Sequence, residues 1–404
     1  MKLFRSLFIA SLSLLVSITA LADIERIEIT SRDTLSDSNV DFSYESISGV
    51  AYFTLDPNED LNGAVTDIAY APMNGDGLVE YAADFRLLVP SVSVANGGLL
   101  YNVNNRGGSV FPPERSLLHP LSGMGFTYLA TGWINELSPR DGRLRLHAPI
   151  VGSAQQRITG QVRYEVGSRQ VTQKLNIAGN GHLAYEPTAA GLASASLTRR
   201  LYQDDPRVAI ERSQFQLEVV AEPGSNQPIV NLSVAGGFQP GMLYELIYEA
   251  RNPVLAGAGM AAIRDMVSAI RFGDAADQLA QLGLPEIDNT VAWGNSQSGR
   301  LLRQFMYDGF NEDLNGRKVF DGVIPVIAGC GYGMFNNRFA MPTRTNGQHS
   351  NHLFPNDLFP FTYGESTDPF TGRSDSILGK ARASNTVPMV MHIQTSNEYW
   401  VRGG

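Results

Sequence analysis

The sequence predicts an α/β protein whose sheet is mostly parallel and is interrupted by a β-rich insertion. From residue 244 onward, short apolar runs typical of strands alternate with amphipathic runs typical of helices. That alternation is typical of a parallel α/β sheet. Before it, apolar and polar residues alternate one by one. We therefore expect a leader over residues 1–22, core residues 23–138, an insertion or subdomain over 139–237 and a second core part over 238–404.

The predicted second core part has its elements in a clear order. The runs "YELIYEA", "TVAW", "FDGVIPVIAG" and "VPMVMHIQ" predict strands. A helix is predicted between the first two, because "GMAAIRDMVSAIRF" places its apolar residues on one stripe, namely Ala262, Ile263, Met266, Val267 and Ile270. A second helix, "SGRLLRQFM", is predicted directly after "TVAW". Strand, helix, strand, helix, strand is the order that a parallel sheet requires.

The insertion has the alternation that a two-sided sheet requires. In "ITGQVRYEV", Val162, Tyr164 and Val166 face one way, whereas Arg163 and Glu165 face the other. Such segments suit an antiparallel sheet with one face in water. The runs before the insertion, including "GVAYFTLDP", "DFRLLVP", "LLYNVN" and "GFTYLATGW", predict short strands bounded by Pro, Gly or Asn.

The N-terminus has the pattern of a secretory signal. Lys2 and Arg5 precede the apolar run "LFIASLSLLV", and Ala20 and Ala22 form an A-x-A exit. The alternative is a membrane anchor, but the run is too short and too rich in serine to span a bilayer. We therefore expect residues 1–22 to be removed on export and the protein to be secreted or periplasmic.

The composition argues against several classes of function. With 43% hydrophobic and 18% charged residues, the chain can fill a core and is not of the disordered class. The net charge of −9 argues against nucleic acid or an anionic membrane as a partner. No second apolar run approaches the length of a membrane span. The single cysteine, Cys330, cannot form an internal disulfide, and its apolar surroundings predict a small buried side chain.

The sequence predicts no cofactor and no metal. It contains no HExxH, CxxC or P-loop pattern. The run "NEDLNG" mimics the start of a calcium loop, but the twelfth position counted from Asn311 is Gly322, where a bidentate glutamate is required. A polar turn explains this run better. The glycine pattern "AGAGMAA" is too short for a dinucleotide site.

The run "VAWGNSQSGRLLRQF" predicts a nucleophilic serine. Ser296 lies where a predicted strand passes into a predicted helix, and small residues, Gly294 and Ser298, stand two positions before and after it. In a nucleophile elbow such residues let strand and helix approach each other, and the N–H of the next residue, here Gln297, points at the developing oxyanion. The alternative is an ordinary serine at a helix N-cap. The α/β context favours the nucleophile.

Several blocks resemble a poorly characterised family of secreted α/β-hydrolase-domain proteins with esterase-like members. These blocks are "NRGG", "YELIYEARNP", "AAIRD", "NSQSGR", "GFNEDLNGRKVFDGV" and "NEYWVR", and they cover the mature chain in the right order. The resemblance implies an α/β-hydrolase fold, esterase-type chemistry and Ser296 as nucleophile. It also implies that the "NRGG" turn, with Arg106 and Gly107, is the oxyanion loop after the third core strand.

A carboxylate that orients the catalytic histidine is expected near the end of the chain. In this fold it follows the second strand after the nucleophile, which indicates "VPMVMHIQTSNEYW". Glu398 is the acid in this segment. The alternative for Glu398 is a surface glutamate, and Asp375 in "GRSDSIL" is the substitute candidate.

The histidine of the triad is missing from its expected place. The order serine, acid, histidine requires it after Glu398, and none of Tyr399–Gly404 is histidine. His392 lies inside a predicted strand, whereas His349 and His352 lie in a loop that could cap a site but would break the usual order. We therefore expect a C-terminally truncated chain whose catalytic histidine lies outside it, and weak activity of the 404 residues alone.

Two functions remain open at this stage. The first is a secreted serine hydrolase that cleaves a small-molecule or polymeric carboxylic ester through an acyl-enzyme on Ser296. The alternative is a non-catalytic secreted binding protein that keeps the hydrolase fold. The intact elbow favours the enzyme, and the absent histidine favours the alternative. The sequence indicates neither the substrate nor the oligomeric state.

Overall fold

The computed structural model describes four stretches of the chain: 24–140, 142–153, 156–343 and 358–402. The expected leader over residues 1–22, and with it the expected cleavage, lies outside these stretches. His349 and His352 also lie outside them.

The strands are, in chain order, β1 (Ile24–Ser36), β2 (Ser43–Leu55), β3 (Val79–Pro90), β4 (Gly98–Val103), β5 (Thr127–Thr131), β6 (Leu146–His147), β7 (Thr159–Val166), β8 (Thr172–Asn176), β9 (Glu186–Pro187), β10 (Ser196–Arg200), β11 (Val208–Ile210), β12 (Phe215–Val220), β13 (Ile229–Phe238), β14 (Leu243–Arg251), β15 (Asn289–Asn295), β16 (Gly322–Val326), β17 (Ser366–Thr367), β18 (Ser374–Asp375) and β19 (Met389–Val390).

The α-helices are α1 (Pro112–Arg115), α2 (Ala189–Ser194), α3 (Ala258–Phe272), α4 (Ala276–Leu279), α5 (Gln297–Asp308), α6 (Gly379–Ala383) and α7 (Ser396–Val401). Single 3₁₀ turns occur at Asp60–Ala64, Ile68–Tyr70, Ser122–Met124, Arg212–Gln214 and Ala280–Leu282. No helix in the described stretches is long and apolar enough to cross a bilayer.

A nine-stranded sheet forms the core, in the order β1-β2-β3-β5-β4-β15-β16-β19, with β6 paired to β3. The strands from β5 to β19 run parallel to one another, whereas β1, β2, β3 and β5 pair antiparallel. The chain passes from β4 to β5 and then back across β4 to β15, so the parallel half is built from strands that are distant in sequence. This architecture confirms the predicted α/β class: the sheet is mixed, and its five strands from β5 to β19 have the predicted parallel arrangement.

Helices α3 and α5 pack into the same hydrophobic core as the sheet. The stripe predicted on α3 is buried along its whole length, from Ala262 to Ile270. On α5, Leu301 and Phe305 are buried in this core, and Phe305 contacts Phe320 next to β16. Each buried side chain of this kind stabilises the fold by about 1.5–3 kcal/mol. The helix that carries the elbow is therefore held firmly against the strands β15 and β16.

The β-rich part forms two further sheets with a hydrophobic core of their own. One has the order β11-β10-β14-β7, with β9 paired to β14, and the other has the order β12-β13-β8. The predicted boundary at residue 237 falls inside this part, because β14 pairs with β7 and β10 rather than with the core sheet. These sheets therefore extend from Thr159 to Arg251, and "YELIYEA" is a strand of the insertion.

The polar face predicted for β7 is not in water. Val162, Tyr164 and Val166 are buried as expected, but Arg163 and Glu165 are also buried. Both belong to an ion-pair network with Arg200, Arg207 and Glu245. Arg200 lies on β10, Glu245 lies on β14, and Arg207 lies in the loop after β10. Burial raises the pKa of Glu245, but hydrogen bonds from Arg207 and the charge of Arg163 lower it to about 2. Mutual pairing is what permits these charges to be buried.

Candidate active site

Ser296 lies at the sharp junction between β15 and α5. Its backbone has φ 57° and ψ −114°, a combination that L-residues avoid and that costs roughly 1–3 kcal/mol. Strand β15 ends at Asn295, and α5 begins at Gln297, so Ser296 alone makes the turn. This is the strained strand-to-helix geometry that exposes a nucleophilic hydroxyl above an α/β sheet.

Close packing at this junction excludes larger side chains. A Cβ atom on Gly294 would lie 2.6 Å from the carbonyl carbon and oxygen of Ser298. A Cβ atom on Gly299 would lie 2.9 Å from the carbonyl oxygen of Gly294 and 3.0 Å from the Cβ of Ala328. Ser298 is fully buried. Small residues are therefore required at these three positions, and Gly299 shares the role that the sequence suggested for Ser298.

Loops from the two neighbouring strands flank Ser296. Because β4, β15 and β16 are parallel, their C-terminal ends meet at one edge of the sheet. The Ser296 N–H donates to the Val326 carbonyl at 2.8 Å, which ties the turn to the end of β16. On the other side, the Ser298 hydroxyl donates to the Asn104 carbonyl at 3.0 Å, just after β4. The topology thus brings the "NRGG" turn next to the elbow.

The "NRGG" turn reverses the chain through two residues with positive φ. Arg106 has φ 52° and Gly107 has φ 82°, and Asn105 and Gly108 exchange backbone hydrogen bonds across the turn. A Cβ on Gly107 would also lie 2.3 Å from the Cγ of Arg143, so both conformation and space require glycine there. The Gly107 N–H donates to the Asn104 side-chain oxygen at 3.0 Å.

The backbone N–H groups of Gln297 and Arg106 have no hydrogen-bond acceptor among the described residues. Gln297 is the first residue of α5, where the positive end of the helix dipole adds to the field. Arg106 lies in the "NRGG" turn. Of the three residues predicted to form an oxyanion hole, the structure therefore leaves the N–H groups of Gln297 and Arg106 free, whereas that of Gly107 is used within its own turn.

Glu136 supports this edge and was missed by sequence reasoning. Its fully buried carboxylate accepts a hydrogen bond from the Thr343 N–H, and the Thr343 carbonyl accepts one from the Arg106 guanidinium at 3.3 Å. The Pro342 carbonyl accepts a hydrogen bond from the Gln297 side chain. Its position just after the predicted strand "GFTYLATGW" was a possible sign of a role at this edge of the sheet. No local sequence pattern, however, distinguishes Glu136 from a surface glutamate.

Glu398, the predicted triad acid, caps its own helix. It lies at the third position of α7 and accepts hydrogen bonds from the backbone N–H of Thr395, at 3.1 Å, and from the Thr395 hydroxyl. These bonds lower the pKa of Glu398. Segment α7 follows β19, so Glu398 occupies the expected place in the topology. The structure shows a capping box there, and the role in a triad stays a prediction.

Asp375, the substitute acid, is bonded to a residue near the C-terminal end of α5. It accepts hydrogen bonds from the Tyr307 hydroxyl, at 3.0 Å, and from Arg373. Tyr307 is near the C-terminal end of α5, roughly 15 Å along the helix from Gln297 at about 1.5 Å per residue. The role of Asp375 as substitute acid stays a prediction.

No histidine among the described residues hydrogen-bonds to Ser296. His147 pairs with Asp84 at 2.8 Å, and His119 accepts from the Leu121 N–H at 3.2 Å. The Nδ1 of His392 lies 3.2 Å from the Tyr363 hydroxyl. Burial and the nearby charge of Arg303 lower the pKa of His392 to about 4, which matches a general base at neutral pH poorly.

The described residues contain no group of three or more His, Cys, Asp or Glu side chains that could hold a metal ion. Cys330, predicted to be buried, is only partly buried, and it lies in the segment after β16. Its backbone N–H donates to the Arg402 carbonyl at 3.0 Å, which links this segment to the end of α7.

The elbow geometry agrees with a comparison of the sequence with protein families. Residues 232–403 match the family model described as alpha/beta hydrolase domain. The matched stretch contains Ser296, Gln297 and Glu398, whereas Arg106 and Gly107 precede it. It begins inside β13, so it includes part of the β-rich insertion. The match agrees with the fold class predicted from the sequence.

Solved structures with similarity to the chain include esterases. Acetyl xylan esterase 1 from Thermoanaerobacterium sp. JW/SL YS485 is 11% identical over 75% of this chain and 52% of its own, with a TM-score of 0.26. The rice cell wall degrading esterase LipA from Xanthomonas oryzae is 11% identical over 76% of this chain and 50% of its own, with a TM-score of 0.26. The chain thus spans about half the length of these structures. No curated protein matches the sequence.

Proposed function

We propose that the protein is a serine hydrolase that cleaves carboxylic esters through an acyl-enzyme on Ser296. The observation that carries this proposal is the backbone of Ser296, with φ 57° and ψ −114° at a strand–helix junction. A helix-cap serine has no need of such a conformation, since N-cap residues adopt the β region. Strain of this kind persists where the surrounding structure holds it in place, as Gly294 and Gly299 do here.

The chemistry follows from the position of the hydroxyl. The Ser296 oxygen bonds to the ester carbonyl carbon while its proton passes to a general base, and the carbonyl π electrons move to the oxygen. Collapse of this intermediate expels the alcohol, which takes the proton from the base. Water, deprotonated by the same base, then attacks the acyl-Ser296 ester and releases the acid. The hydroxyl of the water ends in the acid, and its proton passes through the base to the departing Ser296 oxygen, so that serine and base are restored and one water is consumed.

The oxyanion is stabilised by the two free N–H groups. Those of Gln297, in the elbow, and Arg106, in the "NRGG" turn, have no acceptor among the described residues. Loss of a single donor of this type costs roughly 2.7–4 kcal/mol of transition-state stabilisation. The proposal leaves Gly107 with the role of shaping the turn, because its N–H is bonded to Asn104.

The experiment that tests this function is labelling with a fluorophosphonate probe, followed by mass spectrometry of the modified peptide. We expect the label on Ser296 and none on the Ser296→Ala variant. His349→Ala and His352→Ala are labelled in parallel, because these are the histidines of the sequence that the structure does not describe; the variant that slows labelling identifies the base. Labelling of the intact protein at another residue, or no labelling of a protein that contains the catalytic histidine, would support the non-catalytic binding protein instead.

We also infer that the protein is exported. The support is the basic head, apolar run and A-x-A exit of residues 1–22. N-terminal sequencing of protein recovered from the medium or periplasm should begin at Asp23. A mature protein that retains Met1 would contradict export by this signal.

A further inference from the structure

A cavity of about 360 Å³ lies at the C-terminal end of α5. We call it the Asp308 cavity. Its wall includes residues of α5, of the segment after β16 and of the segment before α6, namely Tyr307, Asp308, Tyr332, Asn337, Phe359 and Arg373. It lies roughly 15 Å along the helix from Gln297, at about 1.5 Å per residue. The cavity is therefore separate from the elbow.

Asp308 provides a hydrogen-bond acceptor that a ligand can reach. Its Oδ2 atom accepts from the Gln304 amide at 3.3 Å and from the Asn336 amide at 3.2 Å. Asn336 is itself bonded to the Ala64 carbonyl and the Thr66 N–H, so the carboxylate is held in a fixed position. The Oδ1 atom accepts no hydrogen bond from the described residues and keeps accessible surface. A carboxylate oxygen has two lone pairs, so Oδ1 is free to accept from a ligand.

Aromatic rings form the apolar part of the wall. Tyr307 and Tyr332 lie edge to face, with their ring centroids 5.5 Å apart. Tyr332 is buried, whereas Tyr307 and Phe359 are half-buried and remain partly accessible. The face of an aromatic ring is electron-rich and attracts C–H groups that carry a partial positive charge. This wall therefore favours a ligand with a C–H face as well as hydroxyl groups.

The charges around the cavity balance one another. Arg373 is paired with Asp375, and Lys380 donates to the Asp308 backbone carbonyl at 2.9 Å. Burial raises the pKa of Asp308, whereas its hydrogen bonds and the charge of Lys380 lower it. A cationic ligand would be repelled by Arg373 and Lys380, and an anionic one by Asp308 and Asp375. The charges therefore favour an uncharged ligand.

We propose that the Asp308 cavity binds one neutral pyranose ring of a carbohydrate. A ring hydroxyl donates to the free Oδ1 of Asp308, and a second hydroxyl bonds to the exposed amide of Asn337. A hydrogen bond to an ionised carboxylate is about twice as strong as one between neutral groups. The C–H face of the ring packs against Tyr307 and Phe359. The proposal does not depend on Ser296.

The size and composition of the cavity agree with this ligand class. Its volume of about 360 Å³ lies at the lower end of the roughly 300–1,000 Å³ of small-molecule sites. A single ring with its hydroxyl groups therefore fits. An open-chain polyol has the same hydroxyl groups but no ring face, so it would use Asp308 and Asn337 without packing against the aromatic side chains. This difference allows the two contributions to be measured separately.

Saturation-transfer NMR titration of the full chain tests the proposal. The probes are the methyl β-D-pyranosides of glucose, galactose and xylose, with sorbitol as the open-chain polyol and choline as a cation. We expect at least one pyranoside to bind with a Kd in the millimolar range typical of so small a ligand. Sorbitol should bind at least fivefold more weakly, and choline should give no saturable signal. Ser296→Ala should bind the pyranoside as the wild type does, which separates this site from the proposed hydrolase.

Variants assign the binding to this cavity. Asp308→Asn and Phe359→Ala should each weaken pyranoside binding at least fivefold. The matched controls, which should bind as the wild type does, are Glu312→Gln, in a neighbouring cavity that Asp308 also lines, and Phe370→Ala, at a fully exposed ring.

The outcomes that contradict the proposal are distinct. A wild-type protein that binds none of the three pyranosides would show that the cavity holds only water. Sorbitol that binds equally well would exclude packing of a ring, and binding of choline instead would make this a cation site. Pyranoside binding that survives both Asp308→Asn and Phe359→Ala would place the site elsewhere. If Asp308→Asn does not fold, Phe359→Ala and its control decide.

Discussion

In a protein that contains its catalytic histidine, replacing Ser296 by Ala should lower the kcat for 4-nitrophenyl acetate by a factor on the order of 10⁴–10⁶, since loss of a nucleophile removes the acyl-enzyme route altogether. The hydroxyl makes no hydrogen bond to any described residue, so the substitution breaks no structural contact there. KM should change little, because the remaining wall still binds the ester. The measurement is steady-state hydrolysis, with the free energy of unfolding of each variant determined alongside.

A matched control and a second substitution make this result specific. Ser194→Ala removes an exposed hydroxyl from α2 and should keep the wild-type rate. Ser296→Gly should be as inactive as Ser296→Ala but more stable by about 1 kcal/mol, because glycine adopts positive φ without strain. If Ser296→Ala keeps more than a few per cent of the rate, Ser296 is not the nucleophile, and its strained backbone needs another explanation.

The elbow could be predicted because everything that defines it is local. Gly294 and Ser298 flank Ser296 between a predicted strand and a predicted helix, and such small flanking residues indicate close packing of the two elements. The structure shows this packing, because a Cβ atom on Gly294 would lie 2.6 Å from the backbone of Ser298. The apolar stripe on α3 was predictable for the same reason, because the helical period of 3.6 residues can be detected within a single short segment of the sequence. Predictions of this kind need only one element and its neighbour.

The partners of the elbow depend on sheet order, which the sequence states only indirectly. That the "NRGG" turn lies beside the elbow follows from β4 pairing with β15, although the whole insertion separates these two strands in the sequence. The orientation of the Asn104 side chain decides that the Gly107 N–H is bonded and the Arg106 N–H is free. Glu136 reaches the site through Thr343, and no spacing in the sequence relates these two residues.

Two expectations about the insertion fail for physical reasons. Strand β14 was assigned to the core because an apolar run before a helix is typical of a parallel sheet, yet it pairs antiparallel with β7 and β10. Periodicity states that a strand exists but not which strand it pairs with. Arg163 and Glu165 were expected in water because charged residues are rarely buried. Pairing with Arg200 and Glu245 on adjacent strands overrides that preference.

Adding a single methyl group at the elbow should disrupt it. We expect Gly294→Ala to lower the free energy of unfolding by about 3 kcal/mol and to abolish labelling of Ser296 by a fluorophosphonate. Gly294 has no positive φ, so the penalty comes from space alone: the new Cβ would lie 2.6 Å from the backbone of Ser298. Backbone atoms cannot move aside as a flexible side chain can. The measurements are chemical denaturation and the labelling rate.

The controls for this prediction separate close packing from the general cost of replacing glycine. Gly75→Ala places a methyl group where no atom lies within 4 Å, and its stability should stay within about 0.5 kcal/mol of the wild type. At the other flank, Ser298→Gly should lose only the hydrogen bond to Asn104, about 1 kcal/mol, and keep labelling. Ser298→Val should lose labelling, because this fully buried position has no room for a branched side chain. If Gly294→Ala and Gly75→Ala have the same free energy of unfolding and the same labelling rate, β15 and α5 can separate at the elbow without cost. The strain at Ser296 would then not be imposed by its small neighbours.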